Sequence, residues 1–181
     1  CRALVFRLRQ LWQPERDFAA MSAQLEIRHI LGGLMETATA GFALAFHVRF
    51  TTPSFLFQTY PKDWLDYYSQ NSLVMSDPTV AWGFENTGAI GWSDLTASDS
   101  AGVLSKAAEF GLRHGTTCAT GSDESRSIGS FARADRDFTD AERAMCMEKL
   151  EILHATTAKM RALSPETAAA LRTMSVQFTH T

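Results

Sequence analysis

Between residues 18 and 38 apolar side chains recur every three to five positions, at Phe18, Met21, Leu25, Ile30, Leu34 and Ala38. That period predicts an amphipathic helix over 18–38 with Asp17 as its cap. Gly41 ends the pattern, and the period then shortens to two. Phe42, Leu44, Phe46, Val48 and Phe50 alternate with Ala43, Ala45, His47 and Arg49, which predicts a strand. Thr51–Thr52–Pro53–Ser54 reads as a turn, and residues 55–59 as a second strand closing an antiparallel hairpin. Tyr60–Pro61 opens a short helix whose Trp64, Tyr67 and Tyr68 share a face. Asp77–Pro78 opens another, with Asp as N-cap and Pro at the first helical position, running to about Asn86.

Residues 90–92 suggest a brief strand. Ser98 or Ser100 opens a helix carrying Val103, Leu104, Ala107 and Ala108, stopped near Gly111. Residues 116–120 and 127–133 read as a hairpin around Gly121–Ser122–Asp123–Glu124. A capping box, Thr139-x-x-Glu142, starts a long helix with a stripe of Met145, Leu150, Leu153 and Met160. Ser164–Pro165 breaks it, and residues 165–174 suit a further short helix. Helices flank hairpins in this order, so the fold class is α+β, with an antiparallel sheet of about five strands under packed helices. A doubly wound fold is excluded because no strand–helix–strand unit carries a Gly-rich phosphate loop.

Composition narrows the function classes. The chain has 181 residues, 45% hydrophobic and 20% charged, the make-up of a single globular domain. Its longest apolar run, residues 42–46, is too short to cross a bilayer. A net charge of −3 argues against nucleic-acid binding as the main activity, since phosphate neutralisation needs a basic face. Cys1, Cys118 and Cys146 are far apart and odd in number, which fits a reducing cytoplasmic setting and no metal spacing. No secretory signal is visible, because arginines interleave the apolar residues of 1–10.

The chemistry concentrates between residues 60 and 92, in the string Tyr60-x3-Trp64-x3-Tyr68-x8-Asp77–Pro78–Thr79-x12-Trp92. Tyr60, Trp64 and Tyr68 recur every four residues, a row along one helical face, each with an apolar body and a polar tip. Asp77 adds an ionised acceptor that a helix start tolerates. Aromatic donors and one carboxylate in an apolar hollow suit a small neutral amide. Taken singly, Trp64 and Tyr68 suit a core, Asp77 a helix cap and Trp92 a strand gap; the joint spacing is what points to a site.

At these residues the sequence resembles the autoinducer-binding domain of LuxR-type quorum-sensing regulators. In that family a Trp, Tyr, Asp–Pro and Trp recur at the spacing of Trp64, Tyr68, Asp77–Pro78 and Trp92. Tyr60–Pro61 and Gly111-x3-Gly115 also match, and the likeness extends over about residues 8–163. The resemblance implies an α–β–α sandwich enclosing an N-acyl-homoserine lactone, and no other cofactor or metal. Trp64 would donate to the lactone carbonyl, Asp77 would accept the amide N–H, and Tyr60 would donate to the acyl carbonyl. Trp92 would pack on the lactone ring. Tyr68 would line the acyl channel near Val80 and Leu104, and Thr79 would assist Asp77. A further hydroxyl position of the family falls on Ser130 or Ala132. Pocket size is expected to depend on Leu44, Phe46 and Phe57 as well as on Val80, Leu104 and Ser130.

By this reading the autoinducer-binding domain spans 1–163. Residues 164–181 are a linker or the opening of a helix-turn-helix module with no recognition helix, so this chain alone is not expected to bind DNA. The implied partners are the autoinducer and a second copy, in a ligand-sensing domain whose folding and dimerisation follow ligand binding. The alternative is a truncated protein that inhibits a full-length regulator by forming an inactive heterodimer. No catalytic role is assigned. His114 with Cys118, or Cys146 with His154, lacks an orienting third group. Arg133, Arg136 and Arg143 alternate with Asp135, Asp137, Asp140 and Glu142, which reads as a solvated mixed-charge stretch.

Overall fold

The computed structural model describes residues 14–50, 52–163 and 168–174. Helix α1 (Pro14–Thr37) leads into strand β1 (Gly41–Val48), which pairs with β2 (Phe55–Gln58). Helix α2 (Lys62–Gln70), a 3₁₀ turn (Leu73–Met75) and helix α3 (Pro78–Glu85) follow. Strand β3 (Gly88–Gly91) runs directly into α4 (Trp92–Leu95), and α5 (Val103–Glu109) precedes the hairpin of β4 (His114–Ser122) and β5 (Ser125–Arg133). The long α6 (Asp140–Leu163) completes the domain, and residues 168–174 are helical. The five strands form one antiparallel sheet in the order β2-β1-β5-β4-β3.

Helices cover both faces of this sheet. On one face Phe42, Leu44, Phe46, Phe57 and Phe131 pack with Ile27, Leu31 and Leu34 of α1 and Leu150 and Leu153 of α6, all fully or almost fully buried. On the other face a smaller cluster joins Trp64, Trp92, Val103, Ala107 and Leu112 to Ala132 of the sheet. Leu171 and Met174 belong to the first cluster, so residues 168–174 dock on the α1–α6 layer. The boundary expected at 163/164 borders residues 164–167, which lie outside the described residues together with 175–181.

Local signals set two helix starts. Asp77 Oδ1 accepts the Thr79 N–H at 2.8 Å, and Pro78 occupies the first helical position. At α6 the Thr139 N–H donates to Glu142 Oε2 at 2.8 Å, and the Glu142 N–H returns to Thr139 Oγ1 at 3.2 Å. At α5 the expected Ser98 or Ser100 gives way to Asp99, whose carboxylate accepts the Val103 and Leu104 N–H groups at 2.7 and 2.9 Å. A carboxylate is the stronger acceptor at a positive helix end.

Three patterns depart from expectation. Asp17 lies inside α1, and Phe18, Met21 and Leu25 are exposed, while Ile27, Ile30, Leu31, Leu34 and Ala38 meet the core. Only the second half of α1 reaches the sheet. The alternation in β1 breaks after Phe46. The register shifts between Ala45 and Val48, and His47 takes φ 51°. His47 stays on the helix side, fully buried, its ring nitrogens 2.8 Å from Ser125 Oγ and from Thr157 Oγ1. The bulge turns Val48 to the opposite face and leaves Phe50 in solvent. Finally, Arg133 is not part of a solvated charge stretch. It is buried, holds Asp135 with two hydrogen bonds, and donates to the last carbonyl of α1, Thr37 O, at 2.7 Å.

Candidate functional site

A cavity of about 400 Å³ lies between the sheet and the layer of short helices. Its floor is the face of the sheet opposite the phenylalanine core. Ala43, Ala45 and Val48 of β1, Leu56 and Gln58 of β2, and Ile128 and Ser130 of β5 point into it. Leu44, Phe46 and Phe57, expected to set pocket size, point the other way into the α1–α6 core. The small Ala43 and Ala45 between them leave the hollow. Period two separates these sets, but both faces of a central sheet are covered, so alternation alone does not say which set meets a guest.

Every residue expected at the site borders this cavity. Tyr60 just precedes α2, Trp64 and Tyr68 lie in its first and last turns, and Asp77, Thr79 and Val80 come from the start of α3. Trp92 from α4, Leu104 from α5 and Ser130 from β5 complete the group. Ala132, the other position weighed for a hydroxyl, packs with the tryptophan cluster instead. Tyr60 precedes Pro61, the N-cap of α2, so it is not in one helical row with Trp64 and Tyr68. Trp92 begins a helical turn rather than extending a strand. Gln58, Val74, Met75 and Phe84 also line the cavity and carry no motif signal. Gln58 could have been found from the period of β2, in which it alternates with the inward Phe55 and Phe57.

The polar groups gather at one end. Asp77 Oδ1 accepts two hydrogen bonds from Thr79, from N–H at 2.8 Å and from Oγ1 at 2.7 Å. Asp77 Oδ2 accepts the Tyr68 O–H at 2.8 Å. A carboxylate offers about four lone-pair sites, so roughly one remains on Oδ2 for a guest. The Trp64 ring meets Tyr68 edge-on at 5.4 Å and stacks on Tyr67 at 6.2 Å. Its indole N–H makes no hydrogen bond among the described residues. Burial pushes both the Tyr60 and Tyr68 phenols well above their usual range, with the Asp77 charge adding to the shift, so both remain protonated donors. The Tyr60 O–H donates to Ser130 O at 2.8 Å.

Trp92 is held by the sheet. Its Nε1–H donates to Thr117 Oγ1 at 3.0 Å, and Thr117 Oγ1 lies 3.0 Å from Ser130 Oγ. Gly115 makes room for the indole, since a Cβ there would stand 2.1 Å from Trp92 Cδ2.

Among the described residues the cavity lining holds no cysteine, histidine or lysine. Cys118 and Cys146 are fully buried on the far side of the sheet. Burial raises both thiols, Cys146 to about 12, which suppresses the reactive thiolate. Among the described residues no group of three or more His, Cys, Asp or Glu side chains could hold a metal. No helix among them is long and apolar enough to cross a membrane.

Comparison with known proteins bears on the family and the fold. Residues 16–159 match the protein family described as "Autoinducer binding domain". The chain is 29% identical over 143 residues to the HTH-type quorum-sensing regulator RhlR of Pseudomonas aeruginosa, covering 75% of this chain and 56% of that protein. It is 33% identical over 60 residues to the transcriptional activator protein SolR of Ralstonia nicotianae, covering 33% of this chain and 25% of that one. The matched stretches therefore span about half the length of RhlR and a quarter of that of SolR. Among solved structures, SdiA in complex with octanoyl-rac-glycerol superposes with a TM-score of 0.58 at 20% identity, over 84% of this chain and 67% of that one. CepR2 from Burkholderia cenocepacia, described as an N-acylhomoserine lactone dependent LuxR family transcription factor, gives 0.55 at 15% identity, over 77% of this chain and 99% of that one. At such identities the structural likeness is one of fold.

Proposed function

The chain belongs to the autoinducer-binding domain family of LuxR-type quorum-sensing regulators, and from that premise we propose that its cavity receives an N-acyl-homoserine lactone. The observation that carries the reading is the pairing of Trp64 and Asp77 at one end of an otherwise apolar hollow. The indole N–H has no acceptor among the described residues, and the carboxylate keeps about one lone pair after satisfying Thr79 and Tyr68. A lactone amide supplies the complement of both: a carbonyl for the indole and an N–H for the carboxylate.

The remaining roles follow from position. Tyr60 exchanges its bond to Ser130 O for the amide-side carbonyl of the guest. Trp92, fixed against Gly115 and Thr117, covers the lactone ring. Thr79 holds Asp77 in place with its hydroxyl. Tyr68, Val80 and Leu104 flank the acyl chain, and Ser130 offers a hydroxyl to it.

Binding couples to folding by mass action. A ligand that binds only the folded chain adds about 2.7 kcal/mol of stability at a hundredfold excess over Kd. We further propose that the liganded, cytoplasmic domain associates with a second copy, which sedimentation with and without lactone would test. The experiment for the site itself is calorimetric titration of wild type and Trp64→Phe with a lactone. Phe keeps the ring but removes the N–H, so affinity should fall about 5- to 15-fold, the worth of one hydrogen bond of roughly 1–1.5 kcal/mol. Equal affinity of the two proteins would refute the assigned role of Trp64, and no binding by wild type would refute the reading.

A further inference from the structure

We propose that two copies of this chain associate through the solvent face of α1, the two helices crossing antiparallel at Leu25; this gives a surface to the association proposed above and rests on it. α1 spans 24 residues, and Ile27, Leu31 and Leu34 turn one side of it into the core. The helix carries a second apolar stripe on the side turned away from them. Phe18, Met21, Leu25 and Met35 are 68%, 54%, 62% and 48% exposed. With Arg28 and Gly32 they fill positions 18, 21, 25, 28, 32 and 35, alternately three and four apart, the spacing by which one helix meets another. The other long helix of this layer offers no such face, since α6 exposes no large apolar side chain among the described residues.

Two glycines mark a close approach. Gly32 and Gly33 sit inside α1, where glycine weakens a helix relative to alanine. A Cβ on either would meet nothing within 4 Å, and neither has the positive φ that calls for glycine. Packing within the chain does not account for them, whereas a second body lying on this face does. The stripe is also its own complement. Phe18 and Gly32 stand seven residues either side of Leu25. A two-fold axis at Leu25 sets that leucine against its own copy and lays each Phe18 ring over the bare backbone of the second copy's Gly32. One patch that complements itself is what a two-fold contact requires. Arg28 and its copy lie three residues on opposite sides of the axis, about 9 Å apart along it, so like charges do not meet. The four apolar side chains expose roughly 100–150 Å² each, about 1,000 Å² over two copies, and the exposed Ser22, Arg28 and His29 flank them. That approaches the low end of specific interfaces, about 1,200 Å², so the dimer is a weak one.

Sedimentation velocity on the 181-residue chain from about 1 µM to about 100 µM, with and without octanoyl-homoserine lactone, tests this. Wild type should pass from monomer to dimer within that range. Leu25→Glu, at an exposed position, should raise the dimer dissociation constant at least about thirtyfold, since two leucines are uncovered in each dimer. Gly32→Gln separates a contact from a structural role. It should weaken the dimer at least about tenfold by overpacking the contact, while the dilute monomer melts no lower than wild type because glutamine favours a helix over glycine. Phe50→Ser, on the exposed hairpin tip, should leave the dimer unchanged. Dimerisation of either α1 variant within threefold of wild type overturns the α1 surface and leaves the association standing. A wild type that stays monomeric at every concentration, with and without the lactone, overturns both; if Leu25→Glu then lowers the melting temperature of that monomer, a segment of the chain itself covers the stripe. The lactone titration above decides the ligand reading separately.

Discussion

Replacing Asp77 by Asn separates two jobs that the carboxylate performs at once. Oδ1 caps α3 and accepts both Thr79 donors, while Oδ2 accepts Tyr68 and faces the cavity. Asn is as good an N-cap as Asp, and its carbonyl can keep the Thr79 pair. Its NH₂ then stands where Oδ2 was. The Tyr68 oxygen can accept from it by turning its own proton away. Ligand-free stability should therefore change by no more than about 1 kcal/mol. Binding should not survive so well. The guest's amide N–H would meet a donor instead of a charged acceptor, and a hydrogen bond to a charged group is worth about 1.5–3 kcal/mol. That predicts a Kd about 10- to 150-fold weaker. The assay pairs urea unfolding without ligand with calorimetric titration of a lactone. Asn binding within threefold of wild type would show that Asp77 does not hold the amide. A loss of more than about 3 kcal/mol of ligand-free stability would show that its role is mainly structural.

Three further outcomes are expected. Gly115→Ala forces a Cβ to 2.1 Å from Trp92 Cδ2, and such overpacking costs about 1–3 kcal/mol, so the melting temperature should fall roughly 2–12 °C; an unchanged melting temperature would refute the placement of Trp92. Hydrogen bonds from Arg136 and from the Thr139 N–H hold the Glu142 carboxyl well below its usual range. Its folded pKa lies below the unfolded one, so its stabilisation is complete above about pH 5 and is lost as pH falls toward the folded value. Glu142→Gln should flatten the acid limb of a plot of urea midpoint against pH, and an unaltered limb would count against the box as a charged cap. Cys118 and Cys146 should resist a thiol reagent in the native state and label once denaturant is added, as read by peptide mass mapping. Rapid native labelling of either would contradict the core described for the α1–α6 face.

What the residues alone determined is local. Asp77–Pro78 and Thr139-x-x-Glu142 start helices because the capping groups are a few bonds from the N–H groups they satisfy, and no distant partner is required. The hairpins and the α+β class follow from period and turn chemistry, which are equally short-range. The spacing from Tyr60 to Trp92 was legible as a set because helix and turn geometry carries those side chains to one region.

Tertiary structure decided everything that depends on which neighbour lies on which side. β1 alternates faithfully through Phe46, yet both faces of its sheet are covered by helices. Only the packing of α1 and α6 makes Phe42, Leu44 and Phe46 core and Ala43 and Ala45 cavity. The bulge at His47 is held by Ser125 and Thr157, residues far along the chain, and it delivers Val48 to the cavity against the period. α1 is apolar along a longer stripe than the sheet can cover, so Phe18, Met21 and Leu25 stay outside. Burial is a property of surfaces meeting in space, and no window of sequence contains both surfaces.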